Sequence, residues 1–326
     1  MAILISRRHL AVLGATAALS GAPRAGAQEL SGKSVTWVVP YAPGGFGDGL
    51  VRLVAQKMAE SAKVNVVVDN RPGAGGQIAA TYVKQQPPDG HTLFYGDVGP
   101  FTINANLYRK LSYDMARDFT PLTRMMKSPS IVVVGAQSSI VDFKGLLLAA
   151  KGPPGLSFGS YGTGSAPHLW GEMLRRHSGL ELVHVPYRGA APALQDLMSG
   201  RLDFMPDVAP NSLPYVLDGK LRALAVIGDK RLPQLPAVPM LGELGYPDLL
   251  MEGWNGVVVR SGTTAPMLHR LHDEVVKAVQ HPDVASRYTQ MGLEVAPMSM
   301  EDFGNFIAAQ TARWEEVIRN TGIALD

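Results

Sequence analysis

The sequence predicts an α/β protein of two similar units, and three observations carry that expectation. Apolar strand-like runs alternate with helix-like runs along most of the chain, the pattern of strands covered by helices in an open sheet. The alternation runs through one cycle, then starts again. At 326 residues, 46% of them hydrophobic, the chain is long enough for two cores,.

The N-terminus reads as a removable export signal. Arg7 and Arg8 precede the apolar LAVLGATAALSGA, and the small residues AGA at 25–27 offer a cleavage site before Gln28,. The segment is too short to span a bilayer. SRRHL at 6–10 resembles a twin-arginine signal with Leu10 in place of the usual phenylalanine, which leaves both the Sec and the twin-arginine routes open,. Removing 1–27 takes away Arg7, Arg8 and Arg24, so the formal charge falls from +2 to −1. No basic field remains to favour nucleic acid. With no cysteine in the chain, disulfides, thiolate metal sites and cysteine nucleophiles are excluded together,.

The first cycle comprises VTWVVP, a helix from about Asp48, VNVVVD, QIAATYVKQQ, TLFYGD and a less regular stretch to about Thr120. The second comprises SIVVVGA, DFKGLLLAAK, LSFGSYG, APHLWGEMLRRHS, LVHVPY, APALQDLMSG, LDFMPD and LRALAVIG. The rhythm argues for parallel sheets. A proline-rich stretch at 231–247 interrupts it. WNGVVVR then reads as a further strand, and three helical segments close the chain, expected to return and cover the first unit.

Several motif-like strings do not fit their chemistry. AQELSGKS at 27–34 resembles a phosphate loop but precedes a strand instead of opening a helix,. GLSFG at 155–159 has the spacing of a nucleophile elbow, with Asp203 or Asp207 and then His269 in hydrolase order. An elbow serine sits on a turn after a strand, whereas Ser157 falls inside the expected strand. His269 with His272, and His168 with His177, lack a carboxylate spaced to complete a zinc site,. We therefore expect no metal, no cofactor and no catalytic residue; the rival reading is a secreted serine hydrolase acting through Ser157.

What remains is a pair of glycine turns, PYAPGGFGD at 40–48 and SYGTGSAPH at 160–168. Each follows a strand and opens a helix, where ligands bind in open α/β sheets. Glycine lets the backbone approach a ligand, and the helix N-terminus favours an anion. Asp48 falls in the first turn of one helix, and Pro167 suits the first turn of the other,. Two such turns, one per unit, point to an anion held between the units. DNRPGAGG at 69–76, with Arg71, and VPYRGAAPALQDLMSGRLDF at 185–204, with Arg188, read as mainly structural.

PYAPGGFGDGLVR, DNRPGAGGQIAA, PDGHTL, SYGTGSAPHL, VPYRGAAPALQDLMSGRLD and LRALAV, in this order, resemble the Bug family of periplasmic solute receptors, the binding proteins of tripartite tricarboxylate transporters. The resemblance covers nearly all of the chain after the signal. It implies a type II periplasmic-binding fold, two α/β domains joined by a hinge that the chain crosses twice, with a small carboxylate in the cleft. It places the crossings near Ser128–Ile131 and Gly253–Val257. The expected division is a signal at 1–27, domain 1 at 28–130 plus 255–326, and domain 2 at 131–254.

The resemblance also implies a site: Tyr41, Gly44, Gly45, Phe46, Gly47 and Asp48 from one turn, Ser160, Gly162, Thr163, Gly164, Ser165 and His168 from the other, and Asp207. In the family such turns hold a carboxylate through backbone groups and bridging waters. The chain departs from the family pattern at Val51, where alanine is common, and at Val208, where asparagine commonly follows the aspartate. The second change alters the distal wall of the pocket. The expected protein is a non-catalytic monomeric receptor of the periplasm. It would close on a small organic carboxylate, a dicarboxylate by preference, and deliver it to membrane permease subunits or to a sensor.

Overall fold

The computed structural model describes Leu30 and residues 33–326. The expected signal at 1–27 lies outside these residues. The first cycle forms β1 (Val35–Val39), α1 (Phe46–Ala62), β2 (Val66–Asn70), α2 (Gln77–Lys84) and β3 (Thr92–Asp97). A helical segment from Gly99 continues into α3 (Asn104–Leu107), and the short α4 (Met115–Asp118) leads to β4 (Phe119–Ser128). The second cycle is β5 (Ser130–Gly135), α5 (Phe143–Ala149), β6 (Leu156–Ser160), α6 (Ala166–Ser178), β7 (Leu182–Pro186), α7 (Ala190–Met198), β8 (Met205–Val208), α8 (Ala209–Leu217) and β9 (Leu221–Ile227). The chain then returns through β10 (Gly253–Arg260) to α9 (Ala265–Val279), α10 (Pro282–Gln290), β11 (Glu294–Val295) and α11 (Met300–Thr321).

Among the elements the sequence did not show are β4 and α8. β4 hides its alternation because Pro121 and Arg124 interrupt the apolar pattern. Pro121 stands where the register with β10 shifts, a place where a strand tolerates a missing N–H. Arg124 is buried but donates to the Ala296 carbonyl at 2.9 Å and lies over the Phe306 ring. α8 hides behind Pro210 and Pro214; the first falls in its opening turn, where proline is tolerated,.

The first lobe is a six-stranded sheet in the order β11-β4-β10-β3-β1-β2. Strands β1, β2 and β3 run parallel as expected, but β10 is antiparallel to both β3 and β4. The second lobe has β5 antiparallel to β8 and β9, and β6 parallel to β7. The bond from the Gly159 N–H to the Phe204 carbonyl, 3.1 Å, joins these two groups of strands. The short β11 is antiparallel to β4, and the other departures from a parallel sheet, β10 and β5, are the strands that enter from the other lobe. Each comes in from the end opposite to a strand reached by a helical crossover, so it pairs in the reverse sense.

Trp37, Leu50, Val54, Met58 and Leu93 pack with Met267, Leu271 and Val275 of α9 on one face of the first sheet. Phe94, Phe101, Trp254, Phe303 and Trp314 fill the other. The closing helices thus cover the first lobe. Leu169 of α6 belongs to this second cluster, whereas the adjacent Trp170 lies in the core of the second lobe. One helix therefore docks the lobes together, and burying Leu169 contributes roughly 1.5–3 kcal/mol. At the crossing, Lys127 of β4 meets Asp229 at 3.3 Å and Glu252 at 3.1 Å, tying together the segments that follow β9 and precede β10.

Candidate functional site

The two glycine turns are built on one plan. In each, a tyrosine three residues before the key glycine leads out of the strand, and that glycine takes a left-handed conformation, Gly44 at φ 78° and Gly164 at φ 79°, where L residues are strained. The Gly44 N–H donates to Asp48 Oδ2 at 2.8 Å, and the Gly164 N–H donates to His168 Nδ1 at 3.0 Å. Both acceptors lie in the first turn of the following helix, four residues on. The tyrosines reach back to the end of a neighbouring strand, Tyr41 to Asp97 Oδ2 at 2.5 Å and Tyr161 to Asp207 Oδ1.

The helix starts also match. Gly45 and Ser165 are the N-cap residues of α1 and α6, both extended, and neither start has a side-chain cap. Serine is a favoured cap, yet the Ser165 hydroxyl donates instead to the Gly162 carbonyl at 2.7 Å. The N–H groups of the cap residues stay internal, Gly45 donating to the Ala42 carbonyl at 3.4 Å and Ser165 to the Gly162 carbonyl at 3.2 Å, whereas the first N–H groups within a helix have no intrahelical acceptor. The first turn is open, with Gly44 and Gly45 exposed and Phe46 half-buried. In the second, Thr163 is exposed at the tip and Gly164 is buried. Gly47 is glycine for packing: a Cβ there would lie 3.0 Å from the Tyr41 ring and 3.2 Å from Tyr95.

The segment after β3 connects the two turns. It begins at Asp97, the partner of Tyr41, and ends at Leu107, whose methyl group would lie 2.4 Å from a Cβ on Gly164. Nine helical residues span on the order of 13 Å, so one short segment links the two turns.

Each support has its own electrostatics. Burial pushes the Asp48 carboxyl up, but Arg52, the Gly44 N–H and Asn70 outweigh it and hold it below its ordinary value. It stays ionised, its Oδ1 accepting from Asn70 at 2.8 Å and its Oδ2 from Arg52 at 2.9 Å. Burial lowers His168 below 6.5, against the opposing charge of Glu172. His184 stacks on it with ring centroids 3.7 Å apart and is pushed down to about 4 by burial and by His168. Burial raises Asp97 as well, and raises Asp207 to about 6 against the hydrogen bonds from Tyr161 and Asn211. Asp207 is fully buried and its Oδ2 has no partner.

Of the residues expected at the site, those of 41–48 and 160–168 gather at the two turns, and Asp207 stands behind the second. The polar atoms of Asp48, His168 and Ser165 face their own turns. Ser160 is also internal: its Oγ contacts His184 Nε2 at 2.7 Å and Gly162, and the residue is fully buried. Tyr161, Asp97, His184 and Leu107 were not anticipated. The repeated tyrosine and the aspartate closing both TLFYGD and DFMPD are the signals that could have found the first two. Ser157 lies inside β6 and is cross-linked to Asp203, its Oγ donating to Oδ2 at 2.6 Å. The strand continues to Ser160 and α6 begins only at Ala166, so Ser157 is not on the turn that opens the helix. Arg71 pairs with Asp69 at 2.8 Å and lies over the Tyr82 ring. Among the described residues, no group of three or more metal-ligating side chains is found.

The profile of the tripartite tricarboxylate transporter family receptor matches residues 50–323. A protein from the tcbD-tcbE intergenic region of Pseudomonas sp. strain P51 is 39% identical over 88% of this chain and 85% of its own length. The structure of Rpa4515 from R. palustris with adipate superposes with a TM-score of 0.81 at 34% identity, covering 90% of this chain and 99% of that one. MatC from Rhodopseudomonas palustris with bound malate superposes at 0.76 with 31% identity, covering 87% and 98%. These solved relatives share the two-domain periplasmic-binding architecture built above from its strands. The chain belongs to the tripartite tricarboxylate transporter receptor family, a family of solute-binding receptors and not of enzymes.

Proposed function

We propose that the protein is a periplasmic receptor that captures a small dicarboxylate, of the size of malate or adipate, between its lobes and delivers it to membrane permease subunits of a tripartite tricarboxylate transporter. The observation that carries this reading is the matched pair of helix starts, α1 after Gly45 and α6 after Ser165, both without a side-chain cap; they would border the space between the lobes. Backbone N–H groups at a helix start bind an anion without reading what is attached to it, so the turns would take one carboxylate end. Tyr41, Gly44, Gly45, Phe46 and Gly47 would form one wall and Gly162, Thr163, Gly164 and Ser165 the other. Asp48, Ser160, His168 and Asp207 would hold those walls in shape from behind.

The domains would divide at residue 130 and again between 254 and 255, hinging about β4 and β10. Cleavage after residue 27 would release the chain into the periplasm. Relatives solved with adipate and with malate support the ligand class.

Thermal melts with adipate and L-malate, each beside its dimethyl ester, test the reading. At a hundred times its dissociation constant a ligand adds about 2.7 kcal/mol of stability. We expect at least one diacid to raise the melting temperature and its ester to leave it unchanged. Equal shifts by diacid and ester, or no shift with any of a panel of C4 to C8 diacids, would overturn it.

A further inference from the structure

The two turns share a backbone plan but not a lock. Asp48 accepts the Gly44 N–H as an ionised carboxylate braced by Arg52 and Asn70. His168 accepts the Gly164 N–H through Nδ1. Nδ1 can accept only while it carries no proton, so the proton of the neutral ring is on Nε2. A second proton would go to Nδ1 and turn the acceptor into a donor facing the Gly164 N–H.

The surroundings are set against that proton. His168 is 5% exposed, and His184 stacks on one of its faces with an interplanar angle of 18°. Phe158 of β6 packs against the pair, its ring centroid 5.1 Å from His184 and 6.4 Å from His168. His184 Nε2 contacts the buried Ser160 Oγ, which bonds in turn to both backbone groups of Gly162. From α6 itself, Glu172 is the charge that bears on His168, and it is paired with Arg175 at 2.8 Å. From α11, Arg313 is turned to the Leu250 carbonyl. From α3, Leu107 is the apolar neighbour of Gly164. Two stacked imidazoles so placed cannot both be charged without leaving each other.

We propose that His168 is a positioning residue for the second turn: its neutral imidazole holds the Gly164 backbone in the binding shape, and protonation of the His168–His184 stack in mild acid releases that half of the site while the first turn stays formed. The receptor would then bind by both turns at neutral pH and lose the second on acidification. The part concerning ligand rests on the carboxylate reading above; the part concerning the turn does not.

The test therefore has two arms. In the first, the full chain without ligand is labelled with ¹⁵N-glycine and titrated by NMR from pH 8 to 4. We expect the Gly164 amide to move with the midpoint of His168, below 6.5, and the Gly44 amide to hold until Asp48 titrates, below 3.8. His168→Asn places an amide oxygen near the position of Nδ1 and does not titrate; it should keep the Gly164 amide in place across the range. A Gly164 amide that ignores His168 protonation overturns the proposal. Should the variant fail to fold, the wild-type titration decides alone.

In the second arm, adipate and L-malate affinities are measured at pH 7.5 and 4.5 for the wild type and His168→Asn. Protonation of the ligand affects both proteins alike and cancels in their ratio. The wild type should lose at least fivefold more affinity than the variant, and equal losses would overturn the proposal. If neither diacid binds while the Gly164 amide follows His168, the positioning role stands and the dicarboxylate reading falls.

Discussion

The first and second turns share one backbone plan and are held by opposite means. The first is open: a Cβ on Gly44 would meet nothing within 4 Å, and its lock is a carboxylate kept ionised by Arg52 and Asn70. The second is enclosed: Gly164 lies against Leu107, and its lock is a neutral imidazole stacked on another. Partners explain the choice. Asp48 and His168 are both buried, but the carboxylate is met by Arg52, Asn70 and the Gly44 N–H, whereas a charge between stacked rings and an apolar lobe contact would carry a large desolvation penalty. The same turn geometry can thus be specified by different side chains, each suited to the groups around it.

The sharpest way to break the symmetry is to add one methyl to each glycine. Gly44→Ala should cost only its left-handed strain, about 1–2 kcal/mol. Gly164→Ala should add a collision with Leu107 of about 1–3 kcal/mol. In urea denaturation, Leu107→Ala combined with Gly164→Ala should cost less than the sum of the two single changes by at least about 1 kcal/mol. Strict additivity would mean that Leu107 does not press on the turn.

A pH comparison comes next in size. The carboxyl of Asp207 is raised from 3.8 to about 6, so the native state takes up a proton that the unfolded state does not, and stability rises as pH falls through that window,. His184 is lowered from 6.5 to about 4, so the unfolded state takes up the proton first, and stability falls over nearly the same range,. The two slopes oppose. Asp207→Asn removes the compensating one, by up to about 3 kcal/mol, and thermal melts of the variant should decline more steeply than wild type between pH 6.5 and 4. Parallel curves would show that Asp207 titrates normally.

The tyrosine braces should differ less. Tyr161→Phe removes a hydroxyl that donates to the buried Asp207 and accepts from the Val208 N–H at 3.1 Å and from Asn211 at 3.2 Å, for about 2 kcal/mol. Tyr41→Phe removes one bond to the half-buried Asp97, for about 1 kcal/mol. A chemical-denaturation series in which Tyr41→Phe proved the costlier would reverse this ranking of the two frames. The smallest change is Ser165→Gly, which gives the second helix the N-cap residue of the first. It gives up the bond to the Gly162 carbonyl and should cost under about 1 kcal/mol. A tenfold or greater loss of adipate affinity without loss of stability would instead put the Ser165 hydroxyl on the ligand.

Much of the architecture was legible because it is written in local periodicity. The strands Val35–Val39, Thr92–Asp97 and Leu156–Ser160 and the helix Ala166–Ser178 stand where apolar runs and helical spacing put them, and both glycine turns were visible as turns. β4 and α8 were not, because Pro121, Arg124, Pro210 and Pro214 break the local pattern, and contacts far along the chain, such as Arg124 with Ala296, restore the balance. Antiparallel pairing of β5 and β10 was also hidden, since strand direction follows from how the chain enters a sheet.

The sequence by itself determined that this is a two-unit α/β chain with glycine turns at two helix starts, because strand and helix periods and the backbone freedom of glycine are properties of short segments. Only the tertiary structure decided what holds each turn. Asp97 is 56 residues from Tyr41, Asp207 is 46 from Tyr161 and His184 is 24 from Ser160, so no local pattern pairs them. Whether an aspartate is an ionised brace like Asp48 or a raised, half-satisfied carboxyl like Asp207 depends on desolvation and on the donors that folding brings within reach.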